Sequence, residues 1–279
     1  MKIIIENDKG KIVMGGGIDS DFNLLSAEGL GLPPKSYTTV EKVGKSGQDT
    51  VNVRIMPRII TISGDVFIKD NRNIDKFLDV LAQDVWLAVY KGRKRRKIYT
   101  KIKEFEIYNK NGGYSGFVLQ LEADEPFFKD VESELNYIFR RENMVTGEIT
   151  LPCIFTKRTV GKNILNKGNE KSYPKLIIYD MGSNGKNVTE KSIGFVNKNT
   201  GASVLFEYET FPGEVITVDF EKRKVNSNIK GDISGFLALE NYLSAFYLDV
   251  GENFIDIINN TDRELSPVCI HDNYYNECL

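Results

Sequence analysis

The 279-residue chain holds one histidine, one tryptophan, three cysteines and eight prolines, and each scarcity closes off a class of function. The single histidine, His271, lies far along the chain with no serine context beside it, and no Gly-x-Ser-x-Gly elbow occurs. A histidine-based triad is therefore not expected. Cys153, Cys269 and Cys278 are too few for a disulfide framework. Cys269-Ile270-His271 followed by Cys278 invites a zinc reading. The spacing fits no zinc pattern and supplies no fourth ligand, so no metal site is expected. The plain reading is a C-terminal strand with small apolar cysteines and then a polar tail.

Apolar runs reach strand length only, too short for a bilayer. Residues 1–6, MKIIIE, meet an acidic residue within a few positions. They lack the apolar core and cleavage site of a secretory signal, so synthesis in a cytoplasm without membrane insertion is expected. The sequons Asn187-Val188-Thr189 and Asn259-Asn260-Thr261 then carry no meaning. Charge of one sign is also missing: 37 basic against 39 acidic residues leave a net −2. Such a chain does not make its living by gripping nucleic acid through phosphates.

Nucleotide and carboxylate chemistry are equally thin. Gly15-Gly16-Gly17 is followed by neither a lysine–threonine pair nor an apolar helix, so it reads as a flexible link and not a phosphate loop. No acidic calcium loop is present. Asp124 and Glu125 are adjacent on an extended segment before Pro126. Neighbours on a strand point to opposite faces, so they cannot share a substrate as acid and base. No catalytic, cofactor-binding or metal-binding residues are predicted, and no enzyme.

What the chain does contain is β-pattern, in a length that favours two domains. Residues 57–68 alternate with Ile60, Ile62, Val66 and Ile68 on one parity, interrupted by Gly64, which predicts a long strand with a bulge. Cap chemistry at residues 70–73 precedes Ile74, Phe77, Leu78 and Leu81 at helical spacing. Period two returns in 85–90, in 98–108 after the basic turn 91–97, and in 115–122. One short helix on a mostly antiparallel sheet is an α+β arrangement. A hairpin is predicted at each end of the first 56 residues. One is 3–5 with 11–14, around Asn7-Asp8-Lys9-Gly10; the other is 37–43 with 50–56. The second is so poor in apolar residues that it needs something to lie against, such as a neighbouring subunit. The segment 26–34 reads as loop. Arg93-Lys94-Arg95-Arg96-Lys97 reads as a solvated turn rather than a nucleic-acid patch.

After Pro126 a region of open assignment (130–141, helix or strand) leads into short strands at 149–155, 176–179, 193–197, 203–209, 215–219, 224–225, 246–248, 253–259 and 267–270. Turn glycines and asparagines separate them, the signature of a β-sandwich. The expected organisation is a mainly β chain in two domains. Residues 1–130 form an α+β sandwich-like domain and residues 131–279 a β-sandwich.

The order of several phrases resembles the distal tail protein family of long-tailed phages. In the first half these are Arg58-x-Ile60-x-Ile62-x-Gly64-x-Val66, the helix 74–81, Trp86-Leu87, and Leu119-x-Leu121-x-x-Asp124-x-Pro126-Phe127-Phe128. In the second half they are Asn166-x-Gly168, Tyr173-Pro174-Lys175-Leu176, Phe195-x-Asn197-x-x-Thr200-Gly201, Pro212-Gly213-Glu214-x-Ile216-x-Val218-Asp219, and Leu248-x-x-Gly251-Glu252-Asn253-x-Ile255. Each phrase is degenerate; their succession over nearly the whole chain carries the weight.

The resemblance implies an N-terminal domain that closes six copies of the chain into a ring, and a peripheral galectin-like C-terminal sandwich. Its implied partners are other copies of itself, the tail tube protein and the tail-tip or baseplate hub protein. No sequence-specific nucleic acid is among them. The implied place is the distal end of a virion tail, assembled in the host bacterial cytoplasm. The family's role is structural, so no catalytic residue carries over. The alternative is a host-surface glycan-binding module of a tail tip. It would draw on exposed aromatics, with Tyr242, Phe246, Tyr274 and Tyr275 as candidates.

Overall fold

A computed structural model describes residues 1–17, 20, 22–67, 71–109, 114–138, 161–183, 191–239 and 241–278. The expected strand 149–155, Cys153, Ile68, the cap residue Asp70 and the sequon at 187–189 lie outside these, as does the side chain of Val66. The fold is mainly β with several antiparallel sheets. It divides into two compact units: Met1–Val131 together with Tyr275–Leu279, and Glu132–Tyr274.

In the first unit β1 (Lys2–Asn7) and β2 (Gly10–Met14) form the first hairpin, followed by β3 (Asn23–Glu28). The second hairpin is β4 (Lys35–Glu41) with β5 (Gln48–Ile55). Then come β6 (Arg58–Phe67), α1 (Asn71–Leu81), β7 (Val85–Lys91), β8 (Lys94–Asn109), β9 (Tyr114–Ala123) and β10 (Phe128–Asp130). The strands run β2-β1-β7-β8-β9-β6-β3 in one continuous sheet. The 16-residue β8 pairs β7 through its first part and β9 through its second, so it carries the sheet round. A single parallel bridge from Met14 to Phe22 brings the edge strand β2 beside the entrance to β3.

The predicted alternation is realised on β6, where Ile60 and Ile62 are fully buried. Gly64 does not interrupt it. Pairing with β9 runs without a break from Arg58 opposite Ala123 to Phe67 opposite Tyr114. The irregularity lies on β3, between Leu24 and Ser26. Glycine is required at 64 for space: a Cβ there would stand 2.3 Å from the Asn23 carbonyl and 2.6 Å from the Phe117 ring.

Helix α1 buries Phe77, Val80 and Leu81, with Ile74 half-buried, while Leu78 is 47% exposed. The face is thus turned toward Val80, away from the predicted Leu78. The cause is an aromatic cluster: the Phe77 ring lies 4.7 Å from Phe22, 4.9 Å from Phe105 and 5.3 Å from Phe117. Centring Phe77 there swings its i+3 neighbour, Val80, inward. The segment expected as loop begins as strand, since β3 ends at Glu28. The register shift of β3 between Leu24 and Ser26 breaks the alternation, so only Leu24 and Ala27 turn toward the core.

The second unit holds two sheets. One is β11 (Glu134–Tyr137), β20 (Arg263–His271), β13 (Lys175–Ser183), β16 (Val215–Asp219), β17 (Lys224–Ser227) and β18 (Gly231–Asp232), in that spatial order. The other is β12 (Lys162–Asn166), β19 (Gly251–Asn259), β14 (Ile193–Asn197) and β15 (Ser203–Phe206). Ile178, Val218 and Cys269 from the first sheet share one core with Ile164, Phe195 and Ile255 from the second, which is a two-layer packing. The open region 130–141 contains β11, a strand. Residues 246–248 are not one. A 3-10 turn at Leu243–Ala245 leads into them, and Leu248 makes a lone bridge to Ser172. Phe246 is buried there, stacked on Phe220 at 4.5 Å. A last short strand, β21 (Tyr274–Tyr275), pairs β10.

Candidate assembly surface

Among the described residues, the second hairpin pairs with no other strand of the first unit. β4 and β5 form a separate two-stranded sheet, and every residue from Lys35 to Arg54 is exposed. Its apolar content is larger than its composition first suggests and all turned outward. Tyr37 (58% exposed) stands opposite Val53 (48%), and Val51 (66%) is the extra residue at a register shift between Thr38 and Thr39. Leu32, Val40 and Val43 are exposed as well. A bare two-stranded hairpin is marginal in water. Its cross-strand pairs supply only about 0.2–1 kcal/mol each. The Lys42–Asp49 ion pair at 2.7 Å joins two exposed groups and adds little. A hairpin that exposes these few apolar side chains, with no other described strand beside it, is a candidate interaction surface.

The basic run is not only a turn. The strand β8 already begins at Lys94, leaving Gly92 and Arg93 at the bend. Arg93, Lys94 and Arg95 are exposed, but Arg96 and Lys97 are half-buried. The Arg96 guanidinium lies 3.6 Å from the centre of the Tyr275 ring, and its Nη1 donates to the Glu277 carbonyl. Lys97 donates to the Val131 carbonyl at 2.8 Å and sits 5.2 Å from the Trp86 ring. The run is thus divided between solvent and scaffold, and its scaffold half is committed within the unit.

The other residues singled out from sequence do not converge. Of the aromatic candidates for glycan binding, Tyr242 is 67% exposed and Phe246 is fully buried. Tyr274 donates its hydroxyl to Glu221, and Tyr275 lies under Arg96. Cys269 belongs to the core of the second unit and Cys278 to that of the first. Burial pushes both thiols up, Cys278 to about 11. His271 is buried on β20, its Nδ1 without a hydrogen-bond partner among the described residues. Burial lowers its pKa, against the pull of Glu134 across the β11–β20 pair. It borders a cavity of about 130 Å³ that Lys175, Asp219, Glu221 and Asp272 also line. Among the described residues no three acidic, histidine or cysteine side chains are grouped to hold a metal.

Buried carboxylates of the second unit are tied into its frame. Asp180 accepts two hydrogen bonds from Arg263, both at 2.8 Å, and one from Thr210 at 2.7 Å. Burial alone raises its pKa, but these donors prevail and hold it below the usual range. Glu214 accepts from Tyr208 at 2.7 Å, from the Phe211 amide at 2.9 Å and from Ser227. Burial and this carboxylate push the Tyr208 hydroxyl to about 12. Such saturated carboxylates brace loops; their lone pairs are already spent on the frame.

By sequence the chain matches no family model and no curated protein. By structure it matches the Dit protein (gp 19.1) of phage SPP1, described as a paradigm of the hub adsorption apparatus of phages infecting Gram-positive bacteria. The match has a TM-score of 0.70 at 12% identity and covers 98% of each chain. Two structures of the phage P2 baseplate in its activated conformation, with calcium and with strontium, match with TM-scores of 0.53 and 0.52. Both are 12% identical and cover 96% of this chain and 97% of theirs. The resemblance read from the ordered phrases is therefore met by the fold.

Proposed function

We propose that this chain is a structural hub of a phage or phage-like tail. Its first unit closes copies of the chain, six in the reading we favour, into a ring, and its second unit is a peripheral galectin-like sandwich. The ring joins the tail tube to the tail-tip or baseplate hub at the distal end of the virion tail. No step of chemistry is assigned to it.

The observation that carries this reading is the fold shared with the SPP1 hub protein over 98% of both chains. The hairpin β4–β5 supports it independently. A head-to-tail contact repeated around a ring needs two different faces per copy. An arm with outward Tyr37, Val51 and Val53 is one such face; the body of the next copy supplies the other. A net charge of −2 suits a channel that DNA passes through without adhering.

Negative-stain imaging of the purified chain at high concentration tests the reading. Closed rings with a central hole are the expected result. Single particles at every concentration, with light scattering returning the monomer mass of 31.6 kDa, would overturn it.

A further inference from the structure

The residue that the rest of the first unit does most to accommodate is Arg58, 1% exposed at the start of β6. Among the described residues, no acidic group answers its charge. Nε donates to the Pro126 carbonyl at 2.8 Å, and Nη1 to those of Gly29 and Gly31 at 2.9 and 2.8 Å. Nη2 donates to the Asn276 carbonyl at 2.6 Å, and the guanidinium lies 4.6 Å from the centre of the Phe128 ring. Burial lowers its pKa to about 10, which still leaves it charged at neutral pH. A buried cation of this kind is tolerable only while its donors are satisfied. One of its acceptors comes from 218 residues away in sequence.

That acceptor belongs to a segment with six further anchors. The Cys278 amide donates to the Leu30 carbonyl at 2.9 Å, and the Cys278 side chain is buried in the core of the first unit. Tyr275 packs against that core under Arg96, and its hydroxyl reaches Asp130 at 3.1 Å. Arg96 also holds the Glu277 carbonyl, and Lys94 faces the Glu277 carboxylate at 3.8 Å. Two arginines thus read main-chain carbonyls of an extended segment, and Tyr275 and Cys278 fill positions in the core. This is the recognition pattern of a bound peptide: backbone hydrogen bonds for affinity, two side chains for register.

We propose that the first unit contains a peptide socket, built by Arg58, Arg96, Phe128 and the 29–31 loop, whose occupant is residues 275–278 acting as a ligand in cis. The socket takes the same peptide in trans when the covalent copy is removed. The first unit is therefore a two-piece fold, finished by a segment that follows the whole second unit in sequence. This inference stands apart from the ring reading, since it concerns one copy of the chain.

Two measurements test it. In full-length chain carrying Cys153→Ser and Cys269→Ala, Cys278 is the only thiol, and its labelling by a maleimide reports release of the segment. Native labelling should be slower than in urea by about a hundredfold or more, the protection of a locally closed element. Adding Arg58→Met and Arg96→Ser should remove most of that protection. Labelling as fast in the native chain as in urea, or protection unchanged by the two substitutions, would overturn the proposal. In the second measurement, chain ending at Tyr274 is titrated with a fluorescent peptide of residues 273–279. Saturable binding that full-length chain lacks is the expected result. If the shortened chain is insoluble, it is refolded from urea with and without the peptide, and a peptide-dependent yield is expected. No binding and no effect on yield would contradict the socket.

Discussion

The first unit carries two hairpins built to the same local recipe, and they meet opposite fates. β1–β2 turns at Asn7–Gly10 and puts Ile3, Ile5, Ile12 and Met14 into the core. β7 pairs one of its edges, and α1 lies against β2. β4–β5 has a longer turn, comparable β-branched content and no cover from any other described strand. Strand-forming sequence therefore does not decide what a hairpin is for. A buried isoleucine contributes about 1.5–3 kcal/mol relative to an exposed one. The first hairpin draws its stability from within the chain. The second leaves its few apolar side chains, Tyr37, Val40, Val51 and Val53, exposed, as the proposed ring contact requires.

The contrast can be broken most severely from the covered side. Phe77→Ala empties the position where α1 meets Phe22, Phe105 and Phe117. It should cost about 3–5 kcal/mol in urea unfolding, as buried aromatics do. A smaller perturbation is Asn7→Ala. It deletes the 2.7 Å hydrogen bond from the Asn7 side chain to the Val80 carbonyl, the tie between hairpin turn and helix. About 1 kcal/mol is expected from the same measurement. Smallest is Lys42→Ala on the uncovered hairpin. Its ion pair with Asp49 is exposed on both sides, and a change within about 0.5 kcal/mol is expected.

Much of this was legible in the residues because period-two alternation survives wherever one face of a strand is buried. Residues 193–197 and 215–219 appear in the structure with the boundaries their patterns predict. What escaped has physical reasons. The helix was located, but its rotation is set by three distant phenylalanines, which spacing within the helix cannot report. The alternation of β3 is broken by the register shift between Leu24 and Ser26, so that Leu24 and Ala27 meet the core three residues apart. Phe246 joins the core from an irregular segment, because ring stacking on Phe220 needs no strand. Arg58 looks like an ordinary polar position between Pro57 and Ile59. Its burial depends on carbonyls from the 29–31 loop, Pro126 and Asn276, which only the tertiary fold assembles. For the same reason the grouping of Tyr275–Leu279 with the first compact unit is visible only in the fold. The candidate surface was legible as a hairpin in need of support, while its outward apolar residues are visible only in three dimensions.

The claim that the uncovered hairpin is the subunit contact is tested most directly by the solution mass of a Tyr37→Ser, Val53→Ser chain beside the unsubstituted one. Both side chains are exposed, so Tm should stay within about 2 °C. Light scattering across a dilution series should give a multiple of 31.6 kDa for the unsubstituted chain and the monomer for the variant. A variant that keeps the full assembly mass at every dilution would contradict the account.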